Sequence, residues 1–303
     1  MSIEFTAPLY SVIQYLQGVY MSLKSNFTKC LSFLFRKRDR VDRERSELNA
    51  LGTAPSNADT LRFAGDINLT DILNSPETES TWMAVQQKLS RFDIVDGTGG
   101  VNPGDRRAIY YLTRHLRPQS VLEVGTHIGT STLHIASALS VIAGDADGRR
   151  KLLSVDINDV NNIDAKPWLN YGSASSPAEM MREMNFDSFV EFITKDSYEF
   201  LTSCSARFDL IFLDGDHAAR TVYREIPAAL KLLNPGGIIL LHDYFPDLKP
   251  LWNNGSLIPG PCLAIERLCN EGARLRVLPL GELPWPTKLG SRTTSLALLL
   301  RDQ

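Results

Sequence analysis

The chain has 303 residues, 43% apolar and 22% charged, which is enough to build a sizeable core and too well balanced for a disordered chain. Lys and Arg number 32 against 35 Asp and Glu, and a net charge of −3 argues against a dedicated nucleic-acid binder. Four cysteines in a chain this long do not make a disulfide framework, and Cys30, Cys204, Cys262 and Cys269 form no Cys-x-x-Cys pair, which excludes a zinc ribbon and a thioredoxin-like motif; the expected compartment is reducing and cytoplasmic.

The chain divides into three regions: 1–48, 49–94 and 95–303. No apolar run reaches the roughly 18 residues that a membrane-spanning helix needs. The opening Met-Ser-Ile-Glu-Phe lacks the basic start and small-residue cleavage site of a signal peptide. In the first region, Leu9, Val12, Ile13, Leu16, Val19, Tyr20, Leu23, Phe27, Leu31 and Leu34 follow the period of an amphipathic helix, with Pro8 in its first turn. A charged run from Arg36 to Arg45 follows. One reading makes the helix a peripheral membrane anchor. The other packs it on the domain or on a second copy in a homodimer, and its polar face, with only Lys24 and Lys29 charged, favours this one. Residues 49–60 are small and polar and read as a linker.

From about residue 105 the pattern becomes regular. A helix is expected over 105–117, ended by Pro118. Short apolar runs at 120–124, 151–155, 189–194, 208–213 and 237–241 alternate with helical stretches. That alternation is the signature of a parallel α/β sheet covered on both faces. Two later runs, 274–280 and 294–301, are separated by a Pro- and Gly-containing loop and are expected to pair as a hairpin.

The strand ends carry the chemistry. The first strand leads through Glu123, Gly125, Thr126 and Gly129 into a helix opened by Thr130, Ser131 and Thr132. Glycines there let the backbone approach a ligand beyond the strand ends. The spacing is Glu-x-Gly-x-x-x-Gly, not the Gly-x-Gly-x-x-Gly that seats a pyrophosphate, and there is no P-loop Lys. The turn therefore suits a nucleoside-type ligand bearing an amino-acid-like group. Asp156 ends the second strand, where a carboxylate commonly accepts hydrogen bonds from a ribose diol. Asp196 follows the third strand, and it either meets an adenine amino group or caps the next helix.

The fourth strand ends Leu213-Asp214-Gly215-Asp216-His217. The fifth begins after a helix stop and turn at Asn234-Pro-Gly-Gly and ends His242-Asp243-Tyr244. Asp214, His242 and Asp243 are expected to converge, with His217 close by. Carboxylates with an imidazole suit a divalent ion such as Mg²⁺ or Mn²⁺, and His217 can take a proton beside it.

These motifs together resemble the class I S-adenosylmethionine-dependent methyltransferases, and within them the small-molecule O-methyltransferases of the Methyltransf_24, macrocin and catechol O-methyltransferase type. The resemblance covers residues 95–301 and rests on 121–132, Asp156, 213–217 and 232–244. It implies a Rossmann-like seven-stranded sheet with its last strand antiparallel, here preceded by an N-terminal helical extension. It implies that Glu123, Gly125, Thr126 and Gly129 line the methionine part of S-adenosylmethionine, that Asp156 binds its ribose and Asp196 lies near its adenine, and that Asp214 faces it. Thr98 to Val101 correspond to a segment that closes over the cofactor.

By the same resemblance, Mg²⁺ would sit on Asp214, His242 and Asp243, and Asp214 and His217 would serve methyl transfer to a small-molecule hydroxyl. His242 departs from the acidic residue usual at its position, and Tyr244 from the Asn that some relatives carry. The acceptor pocket is expected at Tyr244, Phe245 and the loop 246–260, with Trp252 as an apolar wall. Residues 165–185, rich in Met and aromatic residues, are either a lid or a packing helix. Three alternatives stay open: a non-methylating rearrangement on the same cofactor, an NAD-dependent oxidoreductase, and a non-catalytic binding module.

Overall fold

The computed structural model describes residues 38–53, 67–94, 96–98, 100–143 and 150–301. The amphipathic stretch expected over 9–34 lies outside the described residues. The charged run that follows it is helical over 38–49, here α1. The remaining helices are α2 (Leu69–Leu73), α3 (Pro76–Leu89), α4 (Pro103–Leu116), α5 (Thr130–Ala143), α6 (Pro177–Glu183), α7 (Ser197–Ser203), α8 (Ala219–Lys231) and α9 (Gly260–Asn270). The strands are β1 (Ser120–Val124), β2 (Lys151–Asp156), β3 (Val190–Thr194), β4 (Phe208–Leu213), β5 (Leu233–Leu241), β6 (Leu275–Pro279) and β7 (Ala297–Arg301).

They form one seven-stranded sheet in the order β3-β2-β1-β4-β5-β7-β6. β1 to β5 pair in parallel, and β7 enters antiparallel between β5 and β6. The expected hairpin is therefore the β6–β7 pair. The chain runs outward from β1 through β2 to β3, then returns to β4 on the other side of β1. That reversal opens a crevice beyond the carboxyl ends of β1 and β4, where open α/β sheets bind ligands.

Alternate strand residues face opposite layers, as the two-residue period of a strand requires. Val121, Leu210, Phe212, Ile238, Leu240 and Leu298 pack under α3, α4, α5 and α6. Leu122, Val124, Ile211, Leu213, Ile239, Leu241 and Leu299 pack under α7, α8 and α9, with Leu48 of α1 joining that layer.

Three expectations are corrected. The Asn234-Pro-Gly-Gly segment lies inside β5, not in a turn before it. The β4–β5 register shifts between Phe208 and Leu210 to admit it, and the Asn234 amide donates to Asp209 Oδ1 at 2.7 Å. Met180 and Met181 are core residues packed with α5, so this part of 165–185 is a packing helix. Trp252 is no pocket wall: it packs edge-on against Phe245, and both belong to a small buried cluster with Leu257.

Candidate active site

The crevice holds a cavity of about 830 Å³, within the usual range for small-molecule sites. Its walls include Gly125, Thr126, Asp156, Asp196, Asp214 and His217, with Gly100 and Val101 on the α4 side. Five of the seven residues expected at a cofactor thus line one space, and so do two residues of the expected closing segment.

Glu123 and Gly129 do not line it. Glu123 is fully buried beneath the floor, where its Oε2 accepts from Ser154 Oγ at 2.6 Å and from the Thr132 hydroxyl. Burial pushes its carboxyl up to about 7, against the hydroxyls of Ser131, Ser154 and Thr132 that favour the charged form. Gly129 has a positive φ of 76°, and a Cβ there would lie 2.8 Å from Pro177 Cβ. Its glycine serves the contact between the β1–α5 turn and α6.

Gly125 meets a tighter constraint. Its φ is +97°, and a Cβ would fall 2.1 Å from the carbonyl oxygen of Asp214. The glycine lets the ends of β1 and β4 close on each other, which brings Asp214 to the cavity. Asp156 fixes the same turn from the other side. Its Oδ2 accepts the N–H groups of Thr126 at 3.0 Å and His127 at 2.9 Å, while its Oδ1 accepts that of Asn158 at 2.9 Å. Asp196 caps α7 by accepting from Glu199 N at 2.9 Å and also lines the cavity.

At one end of the cavity the strand-end residues of β4 and β5 converge. His242 Nδ1 lies 2.8 Å from Asp214 Oδ1 and 3.6 Å from Asp243 Oδ1. His217 Nε2 lies 3.3 Å from Asp243 Oδ2 and 3.7 Å from Asp214 Oδ1. Asp243 is fixed by a hydrogen bond from Ser295 Oγ at 3.1 Å and takes a positive φ of 54°. His242 is only 9% exposed. Burial disfavours its charged form, yet Asp214 and Asp243 outweigh that and hold its pKa well above the ordinary value. Burial likewise opposes ionisation of Asp243, but His242, His217 and Lys288 keep its carboxyl below the usual range.

One ligand atom each from Asp214, His217 and His242 lies within 4.8 Å of the others, close enough to share an ion. His242 Nδ1 is buried without an aligned hydrogen-bond partner, although two carboxylates stand beside it. A buried group of this charge calls for a cation, either a proton on Nδ1 or a metal ion. The set Asp214, His217 and His242 therefore fits a divalent ion; it holds two of the three expected ligands, with His217 in the place of Asp243, whose carboxylate stands beside both histidines.

Two residues of the site carried no sequence signal. Asp105, in the first turn of α4, is wholly buried and faces His242 Nε2 at 3.2 Å. Glu44 of α1 is 5% exposed and accepts the N–H of Ala219 at 3.0 Å, at the start of α8 and two residues past His217. Ala218, the residue before α8, offers no side-chain cap of its own. Arg267 anchors the other end of α1 by donating to the carbonyls of Leu48, Leu51 and Gly52. Leu51 reaches the cavity wall, so the N-terminal segment contributes to the site.

Residues 122–244 match a family described as Methyltransferase domain (Methyltransf_24). This stretch of the chain is similar to a methyltransferase domain. The matched span runs from β1 through the end of β5 and so contains the glycine turn and both strand ends of the charged cluster. No curated protein matches the chain. Among solved structures, the chain resembles an O-methyltransferase of Streptomyces achromogenes involved in tomaymycin synthesis, in complex with SAM. That pair is 17% identical over 76% of this chain and 92% of the other, with a TM-score of 0.48. It also resembles an O-methyltransferase from Bacillus cereus in complex with SAH, at 19% identity over 81% of this chain and all (100%) of that one, TM-score 0.48. An SAH-bound Podospora anserina methyltransferase matches at 17% identity over 84% of this chain and 100% of its own, TM-score 0.46. These likenesses are weak, and the fold assignment rests on the strand order of the chain itself.

Proposed function

We propose that this protein is a methyltransferase that uses S-adenosylmethionine to methylate a hydroxyl of a small molecule such as a sugar, a phenol or a natural-product intermediate, with a divalent ion assisting. The observation that carries the reading is the joining of a nucleoside-sized cavity at the glycine turn to a buried acid–imidazole cluster at the ends of β4 and β5. S-adenosylmethionine supplies the methyl group as a sulfonium, whose positive charge favours carboxylates such as Asp214 nearby. The Gly125–Thr126 turn, Asp156 and Asp196 would hold it. Asp214, His242 and Asp243 would hold the ion, which lowers the pKa of an oxygen bound to it.

The chain itself orients the acceptor and moves its proton. His217 borders the cavity and takes the proton of the hydroxyl, while Asp243, 3.3 Å from its Nε2, stabilises the imidazolium. Gly100, Val101 and Leu51 line the cavity and would restrict water there once the cofactor is bound. A cytoplasmic homodimer is the form this reading expects, and light scattering checks the dimer. The function is tested by incubating the protein with methyl-labelled S-adenosylmethionine and a panel of hydroxylated compounds. Label transferred to an oxygen, and lost in His217→Ala, supports the reading. Cofactor binding with no transfer to any hydroxyl class counts against it.

A further inference from the structure

His242 has two distinct nitrogens, and the structure gives them different tasks. Nε2 points away from the cavity, toward α4, and meets Asp105 Oδ2 at 3.2 Å. Nδ1 points to the charged cluster, buried and without an aligned hydrogen-bond partner. Asp105 is held firmly. Its Oδ2 also accepts from Asn102 Nδ2 at 2.6 Å, and its backbone N–H donates to Asn102 Oδ1 at 3.1 Å. The start of α4 is pinned to the β6–β7 connection: Trp285 Nε1 donates to the Gly104 carbonyl at 2.9 Å, and a Cβ on Gly104 would lie 2.5 Å from the Pro286 carbonyl oxygen. The Asp105 carboxylate is therefore a fixed acceptor. A fixed acceptor at Nε2 orients the ring and leaves Nδ1 as the nitrogen that a metal ion would meet.

We propose that Asp105, His242 and the ion form a carboxylate–imidazole–metal relay, and that the nitrogen donor makes the site select a first-row transition ion such as Co²⁺, Mn²⁺ or Zn²⁺ over Mg²⁺. This rests on the reading that Asp214, His242 and Asp243 hold an ion. It goes further by assigning Asp105 as the positioning residue and by naming the class of ion. Magnesium is a hard cation that keeps to oxygen, whereas imidazole suits the later divalent metals. Carboxylates that orient a ligating imidazole typically contribute 10–100-fold in metal affinity. Asp105 approaches from α4, and it is the only partner recorded for Nε2 among the described residues.

The test uses the purified full chain without cofactor or acceptor. Co²⁺ binding is followed by its visible absorption and by calorimetry, Mg²⁺ binding by calorimetry, in wild type, His242→Asn and Asp105→Asn. Thermal melting confirms that each variant folds. The expected result is Co²⁺ bound at least about tenfold tighter than Mg²⁺ in wild type, and weakened about 10–100-fold in both variants, with Mg²⁺ affinity changed far less. Nitrogen coupling from a ligated imidazole in pulsed electron paramagnetic resonance of the Mn²⁺-loaded wild type, retained in His217→Asn, supports the assignment without altering His242. Equal affinity for Mg²⁺ and Co²⁺, unchanged Co²⁺ binding in His242→Asn, or no ion bound at millimolar concentration overturns it. Unchanged Co²⁺ binding in Asp105→Asn removes Asp105 from the relay. S-adenosylmethionine binding is measured alongside, so a protein that binds the cofactor and no ion refutes the relay while leaving the methyltransferase reading in place.

Discussion

Replacing Glu44 with Ala should destabilise the fold and slow the reaction, although Glu44 lies 175 positions from the group it caps. Its carboxylate receives the Ala219 N–H at the start of α8, where Ala218 supplies no cap and the helix dipole favours negative charge. A hydrogen bond to a charged acceptor contributes roughly 1.5–3 kcal/mol, and removing the acceptor leaves Ala219 N–H buried and unpaired. The accompanying pair with Arg40 is half exposed on the arginine side and adds little. The total is about 2 kcal/mol, or a fall in Tm of about 4–8 °C at the 2–4 °C per kcal/mol expected of a domain this size. Glu44→Gln keeps an acceptor and should lose less than half of that. His217 precedes the capped turn by two residues, so kcat should fall at least several-fold in the alanine variant. Thermal unfolding followed by circular dichroism measures the first effect and steady-state methyl transfer the second. An alanine variant that melts within about 1 °C of wild type would refute the capping argument.

Three further outcomes follow from the site. Gly125→Ala places a methyl 2.1 Å from the Asp214 carbonyl at a positive φ, so it should weaken S-adenosylmethionine binding at least about tenfold by calorimetry, with a strain cost of roughly 1–3 kcal/mol. Gly260→Ala puts a Cβ 1.9 Å from the His217 carbonyl and should lower kcat at least about tenfold while cofactor affinity, measured in parallel, stays near wild type. Glu123 binds its proton more tightly folded, at about 7, than unfolded, near its ordinary 4.5. The native state therefore carries the extra proton between those values, and stability should fall as pH rises through that window. Urea unfolding at pH 5 and pH 8 reads this, and Glu123→Gln should remove on the order of 1–3 kcal/mol of the difference.

The sheet was legible because each strand is a short apolar run with its own punctuation. β1 and β4 begin and end where the sequence places them, and the hairpin at the end of the chain appears as β6 and β7. The candidate site was legible where chemistry sits at a strand end: Asp156 closes β2, Asp214 follows β4 with His217 three residues on, and His242 and Asp243 follow β5. What was not legible acts across the chain. Nothing near Glu44 announces that its carboxylate caps α8, and nothing in the first turn of α4 announces that Asp105 meets His242, because both contacts are made by tertiary packing. Gly129 was read as a ligand glycine because packing against Pro177 leaves the same sequence mark as close approach to a ligand. The β5 bulge was hidden for a related reason. Asn-Pro-Gly-Gly is turn chemistry, and the contact that ties it to β4, the Asn234 amide donating to the Asp209 carboxylate, has no local sequence mark.

The cavity beyond β1 and β4 is proposed to bind S-adenosylmethionine through the Gly125 turn. Calorimetric titration of the purified protein with S-adenosylmethionine and S-adenosylhomocysteine tests it most directly, with Gly125→Ala titrated under the same conditions. Saturable binding of both nucleosides to wild type, and binding at least about tenfold weaker in the variant, are expected. A folded wild-type protein that binds neither nucleoside would contradict it.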